Sequence, residues 1–334
     1  MVNLITEIMG KKIFVVEEDK KIKIEKFLKK LGFSYSAAAQ LIRKGNVKIN
    51  GKRQKSSYLL QPGDVVELFM AIQPKTGKDI IFTKKHEEIA EQLIRDIIYK
   101  DENILILNKP AGIPVQGGNK VKISIDDLSN YLKFNLPNKP KLVHRLDRDT
   151  SGILVMARND RAAKALSTMF KESGTIKKYY LALCNRVPYK QGGTISIPIA
   201  KVKFDKEIMC YSPDNGDEAI SYYQVVTHNE KLSLIQFQIV TGRTHQIRVH
   251  AATSGIPIVG DYKYNDQYFE MVRSMMTPHE RQKFILNSKS INPHQHEKLC
   301  LHSEMIEFIL FDNQISVKAP LPRDFQLLLD EVFD

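Results

Sequence analysis

The chain has 334 residues, 43% hydrophobic content and a formal net charge of +12, which allows one large and one small globular domain. No apolar run approaches the roughly 20 residues of a bilayer-spanning helix, and the N-terminal residues lack the basic and apolar regions of a signal peptide, so a cytoplasmic chain without membrane attachment is expected. Three scattered cysteines, Cys184, Cys210 and Cys300, suggest neither a disulfide framework nor a thiolate zinc site.

Residues 1–19 read as an extension. Charge is concentrated just beyond them: between Lys20 and Gln61 twelve lysines and arginines face one acid, Glu25, a net +11. A solvated lysine-rich face is the plain alternative. These lysines lie within a folded pattern, however, and one-signed charge on a folded surface is what a polyanion partner requires. Ile22, Ile24, Phe27, Leu28 and Leu31 recur at helical spacing and Gly32 ends the run. Ser34 or Ser36 can cap a second helix over 37–42, closed by Gly45. Val47-Lys48-Ile49 then alternates as a strand, Asn50-Gly51 offers a left-handed turn, and Pro62-Gly63-Asp64 turns into a strand over 65–68. Arg43, Lys44, Lys48, Lys52 and Arg53 are the candidate polyanion contacts.

Residues 70–95 read as a polar linker ending in a short helix, His86 to Leu93. From 96 to 330 strand-like runs dominate: Ile104–Leu107, Leu142–Val143, Ile153–Met156, Tyr179–Leu183, Thr194–Ile199, Ala219–Val226 and Leu232–Val240. Asn159 can cap a helix from Asp160 to Met169, and a second helix is expected from His245 to Ala252, with Thr244 near its cap. Many strands with occasional helices give an α+β domain. Neither GxGxxG nor a GKS/T loop occurs, so dinucleotide or ATP use is not expected.

The stretch HRLDRDTSG, His144 to Gly152, sets a histidine and four charges between two apolar runs. A carboxylate at a core edge stays ionised only if cations or donors offset its desolvation. Arg145 and Arg148 are close in sequence, and TGRTHQIRVH supplies Arg243 and Arg248 from a distance. Such a pair can be a strand-end ion pair of the fold or a site that holds one carboxylate charged and shielded, and spacing alone favours neither. The histidines His144, His245, His250, His294 and His296 do not form a set with structural zinc spacing, so no metal is expected.

Residues 20 to about 69, with IRKGNVKINGKRQK and PGD, resemble the S4 RNA-binding domain. From Ile97 to Ala319 the motifs NKPAGIPV, HRLDRDTSG, KKYYLALC and TGRTHQIRVHAATSGIPIVGDYKY resemble, in order, those of the RluA-type pseudouridine synthases, in particular their large-subunit ribosomal RNA branch. The resemblance implies a mixed eight-stranded sheet with flanking helices and a cleft across its middle. It also implies isomerisation of specific uridines of 23S ribosomal RNA to pseudouridine after base flipping, without cofactor; a monomer with no obligatory protein partner is only the default expectation, since the sequence does not carry the oligomeric state. Another ribosomal or transfer RNA site, or a non-catalytic S4-type ribosomal RNA binder, stands as the alternative. Asp147 is then the essential carboxylate, adding covalently or removing the 2′ proton. Tyr180, rather than Tyr179, stacks on the uracil and is placed to help deprotonate C5. Arg248 pairs with Asp147, and Arg145 fills the place of the extruded nucleotide. Lys109 and Pro110 shape the cleft floor, while Asp149 and His302 are structural. One departure from the family pattern is the long connection 266–298, carrying Met271, Met275, Met276 and Arg281, whose role the sequence leaves open.

Overall fold

Two units, Met1–Thr83 and Lys84–Asp334, divide the chain in the computed structural model, which describes residues 2–8, 11–17, 21–33, 35–69, 84–117, 121, 123–203, 207–285 and 296–334. The first unit contains strands β1 (Val2–Ile8), β2 (Lys11–Val16) and β3 (Ile22–Lys23), helices α1 (Ile24–Lys30) and α2 (Tyr35–Lys44), and strands β4 (Val47–Ile49), β5 (Leu59–Leu60) and β6 (Val65–Phe69). Its sheet runs β1-β2-β6-β4. Two strands of that sheet thus come from the residues read as an extension. The expected helix start at Ile22 moves to Ile24 because Ile22-Lys23 pairs with Leu60-Leu59. Ile24, Phe27 and Leu28 of α1 and Ala38 and Leu41 of α2 are buried on the sheet, with Phe14 and Phe27 edge to face at 6.3 Å. Asn50 takes the left-handed conformation, φ +50, and bridges Asp64 and the Val65 N–H through its side chain.

The second unit opens with α3 (Lys84–Arg95), within the stretch read as linker; residues 70–83 lie outside the described set. There follow β7 (Ile97–Lys100), β8 (Ile104–Lys109), α4 (Ile125–Leu128), a 3-10 turn at Ser129–Leu132, β9 (Lys141–Leu142), β10 (Ser151–Ala157), α5 (Asp160–Met169) and β11 (Lys177–Asn185). Next come β12 (Gly192–Ser196), β13 (Ile199–Lys203), β14 (Glu207–Tyr211), β15 (Ile220–His228), β16 (Leu232–Ile239), α6 (Gln246–Thr253), α7 (Asp266–Met275) and α8 (Pro278–Phe284). The chain closes with β17 (Leu301–Leu310), β18 (Asn313–Lys318) and α9 (Arg323–Phe333). Eight strands run in the order β12-β15-β16-β11-β17-β10-β8-β7, with β18 added on β17 and β9 on β10. The α+β class and the mixed sheet expected from sequence are both present.

Burial on both faces explains the unbroken apolar runs, since such strands have no solvent side to mark with polar residues. In β8 and β10, Ile104, Ile106, Ile153 and Val155 enter a core closed by Ala162 and Leu166 of α5. Their alternate neighbours Leu105, Leu107, Leu154 and Met156 enter the opposite core with α3, α6 and α9. Each such side chain stabilises by about 1.5–3 kcal/mol on full burial. Asn159 caps α5 through Ala162 N–H at 2.8 Å, as expected.

At the centre β10 and β17 run parallel, pairing only through Ser151–His302 and Gly152–Ser303, while the other described neighbours are antiparallel. Gly152 makes this approach possible. Its φ of +104 and its contact with the Ser303 backbone leave no room for a Cβ.

Candidate active site

A cleft opens at this junction, lined by Asp147, Tyr180, Ile239, Gly242, Arg248 and Leu301 among others. The middle strands β16, β11 and β17, the loop before β10 and the N-terminal end of α6 therefore form its walls.

Asp147 sits in a tight turn, with its carbonyl accepting from Thr150 N–H at 3.3 Å. The neighbouring Arg148 carbonyl accepts from Gly112 N–H at 2.8 Å and from the Lys109 ammonium at 3.1 Å. Lys109 is fully buried, and it also donates to the Pro110 and Ile113 carbonyls. NKPAGIPV thus clamps the loop that carries the acid. Burial pushes the Lys109 pKa down to about 7, against the opposing charges of Asp149 and Asp147. Arg148 and Asp149 lie 3.8 Å apart, and Arg148 donates to the Gly112 carbonyl, so these two charges serve the loop itself.

Arg248 lies behind Asp147 with its side chain 4% exposed, Nη1 being 3.9 Å from Asp147 Oδ2. Its firmest partner is Asp261. Nε and Nη2 form a fork on that carboxylate at 2.7 and 2.8 Å. Asp261 Oδ1 also accepts from the N–H groups of Lys263 and Tyr264 at 3.0 Å. Burial works against the Arg248 charge, but the Asp261 bonds and the charges of Asp261 and Asp147 outweigh it and raise the pKa. The expected pairing of Arg248 with Asp147 is thus an outer contact on a guanidinium anchored elsewhere.

Helix α6 begins at Gln246, not His245, and Thr244 does not cap it; the N-cap is His245, in the left-handed region at φ +58. The Gln246 amide ties this end down, accepting from Thr241 Oγ1 and Arg243 N–H and donating to the Ile220 carbonyl and Ser221 Oγ. All eight helix residues are buried, which fixes the Arg248 backbone. His245 Nε2 stands 3.8 Å from Asp147 Oδ2.

Tyr180 lines the cleft, whereas Tyr179 points its hydroxyl at Glu307 at 3.4 Å, as neighbours on a strand must. Burial, opposed by a Ser303 hydrogen bond and helped by the Asp147 charge, raises the Tyr180 pKa to about 12. Arg145 is exposed at the cleft mouth. Asp147, Tyr180, Arg248 and Arg145 are therefore brought together. The cationic residues expected to meet RNA belong to the first unit. There Arg43 and Lys44 end α2 exposed, Lys52 and Arg53 follow exposed, and the Arg53 guanidinium lies against Gly45; Lys48 lies over the Phe69 ring at 5.1 Å.

Three further histidines make their bonds inside the fold. His144 Nε2 accepts from Val155 N–H at 2.8 Å, its ring stacks on Phe170 at 4.2 Å, and burial together with the Lys178 charge depresses its pKa to about 3. His250 bonds Ser221 Oγ and the Ile197 carbonyl, and His302 bonds Ser151 Oγ and the Ala319 carbonyl; burial takes both to about 4. His294 lies outside the described residues. The long connection holds α7 and α8, with Tyr268, Val272 and Met276 buried.

The family model described as RNA pseudouridylate synthase matches residues 103–253, and the S4 domain matches 22–66. The ribosomal large subunit pseudouridine synthase C of Rickettsia typhi is 32% identical, over 80% of this chain and 89% of its own. That of Vibrio parahaemolyticus is 37% identical, over 69% and 72%. Among solved structures, human RNA pseudouridylate synthase domain containing 4 superposes with a TM-score of 0.57 at 25% identity, covering 74% of this chain and 97% of its own. The protein is an RNA-modifying isomerase by class. The chain belongs to the RNA pseudouridine synthase family and carries an S4 domain at its N-terminal side.

Proposed function

We propose that this protein converts specific uridines of 23S ribosomal RNA to pseudouridine, with Asp147 as the reacting group and no cofactor. The observation that supports it most is the single carboxylate in a cleft backed by a buried guanidinium. The reaction breaks C1′–N1, turns the uracil and forms C1′–C5, so substrate and product are isomers and no redox equivalent is consumed. Asp147 can add to C1′ or take the 2′ proton, with the Arg248 guanidinium behind it in either case. Tyr180, lining the cleft where the turned uracil lies, helps remove the C5 proton, and N1 gains a proton in exchange, so the isomerisation balances. Arg145, at the cleft mouth, offsets the few kcal/mol of unstacking by occupying the place of the flipped base. The exposed cations around the end of α2 hold structured RNA by charge and shape. The relatives named as ribosomal large subunit synthases support the choice of RNA. Carbodiimide-blocked reverse transcription of 23S ribosomal RNA from cells with and without the protein tests the reading: stops lost with the protein are expected, and an unchanged 23S pattern contradicts it.

A further inference from the structure

His245 breaks two local rules. A non-glycine residue at φ +58 costs about 1–3 kcal/mol. An N-cap is normally Ser, Thr, Asp or Asn, whose side chain bonds the first turn, but the His245 side chain makes no capping bond. It turns instead to Tyr264, with Nδ1 2.7 Å from the hydroxyl and the rings edge to face at 5.4 Å. Tyr264 is fully buried and packed edge to face on Tyr268 at 5.0 Å, so the hydroxyl is fixed in place. Nε2 faces a carboxylate oxygen, which can only accept, so the Tyr264 proton is directed to Nδ1. A ring that accepts at Nδ1 carries its hydrogen on Nε2, the nitrogen 3.8 Å from Asp147 Oδ2.

We propose that Tyr264 and His245 are positioning residues that hold a neutral Nε2–H donor against Asp147 and so orient its carboxylate toward the ribose. This rests on Asp147 being the reacting group. Arg248 Nη1 and His245 Nε2 both address Oδ2, and Oδ1 is left for the substrate. At 3.8 and 3.9 Å these are contacts rather than hydrogen bonds, and they must shorten in the reacting complex for Asp147 to be oriented by them. Around the imidazole, Asp147 comes from the loop before β10, Arg248 from α6, and Asp261, Lys263 and Tyr264 from the segment that follows it. Burial comes first in lowering the His245 pKa, with Arg248 and Lys263 adding to it against Asp147 and Asp261, which favours the neutral ring.

The test uses the full-length protein with transcribed target RNA, and the variants Tyr264→Phe, His245→Gln and His245→Ala beside Asp147→Asn. Long-range proton–nitrogen spectra of histidine-labelled protein are expected to show His245 as the Nε2–H tautomer, and Tyr264→Phe to shift it toward a mixture. Turnover in Tyr264→Phe and His245→Ala is expected to fall roughly 10- to 100-fold with KM within about twofold, and His245→Gln, which keeps an N–H donor, to recover part of the loss. An Nδ1–H tautomer in the native protein, or wild-type turnover in Tyr264→Phe, overturns the relay. If a His245 variant fails to fold, the native spectrum and Tyr264→Phe decide. Wild-type turnover in the relay variants with an inactive Asp147→Asn removes this inference alone; turnover by Asp147→Asn removes the reading beneath it.

Discussion

Arg248 serves two carboxylates with one guanidinium, and the division of labour sets what each substitution should do. Asp261 takes the fork and fixes the side chain, so Nη1 reaches Asp147 from a set direction. Asp261→Asn is expected to reduce turnover about 10- to 100-fold with RNA affinity unchanged, because the arginine loses its anchor rather than its charge. Asp261→Ala should also cost about 3–5 kcal/mol in denaturant titration, since a buried cation is left with too little compensation. Wild-type turnover in Asp261→Asn would reduce the fork to a fold contact. Asp147, Tyr180, Arg145 and Arg248 were legible because they stand within runs whose order resembles one family. Asp261 stands within GDYKY, yet nothing in a lone acid announces an arginine thirteen positions back. His245 was read into a helix because only the folded chain reveals a left-handed backbone at a residue other than glycine.

At the scale of elements, apolar runs gave β8 to β12, β15 and β16 of the large sheet with approximate limits, and Asn159 gave α5 at the residue, whereas β7, β17 and β18 were not read as strands. The run read as a strand over 194–199 splits into β12 and β13 at Pro198, where a proline cannot donate to the ladder. The junction of β10 with β17 was not legible, as a two-residue parallel pairing between distant segments leaves no periodicity. Gly152 carries that junction, and it bounds the loop that holds Asp147. Gly152→Ala therefore forces Cβ into the Ser303 backbone at an unfavourable φ, and the expected loss is above about 3 kcal/mol. Equilibrium unfolding checks it, and a loss under about 1 kcal/mol would mean that the strands can part without cost.

Across the whole molecule, three histidines held neutral within the fold, His144, His250 and His302, contribute to the response to acid. In the unfolded chain each titrates near 6.5, and in the fold His144 titrates near 3 and His250 and His302 near 4. Stability from keeping them neutral is full above pH 6.5 and is lost as pH falls toward 4, at roughly 4 kcal/mol per pH unit for the three together. Urea titrations between pH 7 and 4.5 should show that slope, and His144→Asn should reduce it by about a third. In the proposed reading the S4 domain holds RNA by charge and shape, so replacing Arg43, Lys44, Lys52 and Arg53 by alanine should weaken RNA binding and flatten its salt dependence by up to about one slope unit per lost phosphate contact. An unchanged slope would place the RNA elsewhere. The most direct measurement is pseudouridine formation by Asp147→Asn on a transcribed 23S fragment, alongside filter binding of the same RNA. With Asp147 as the reacting group, binding persists and no product forms over many wild-type turnovers; product at anything near the native rate would show that the carboxylate does not perform the reaction.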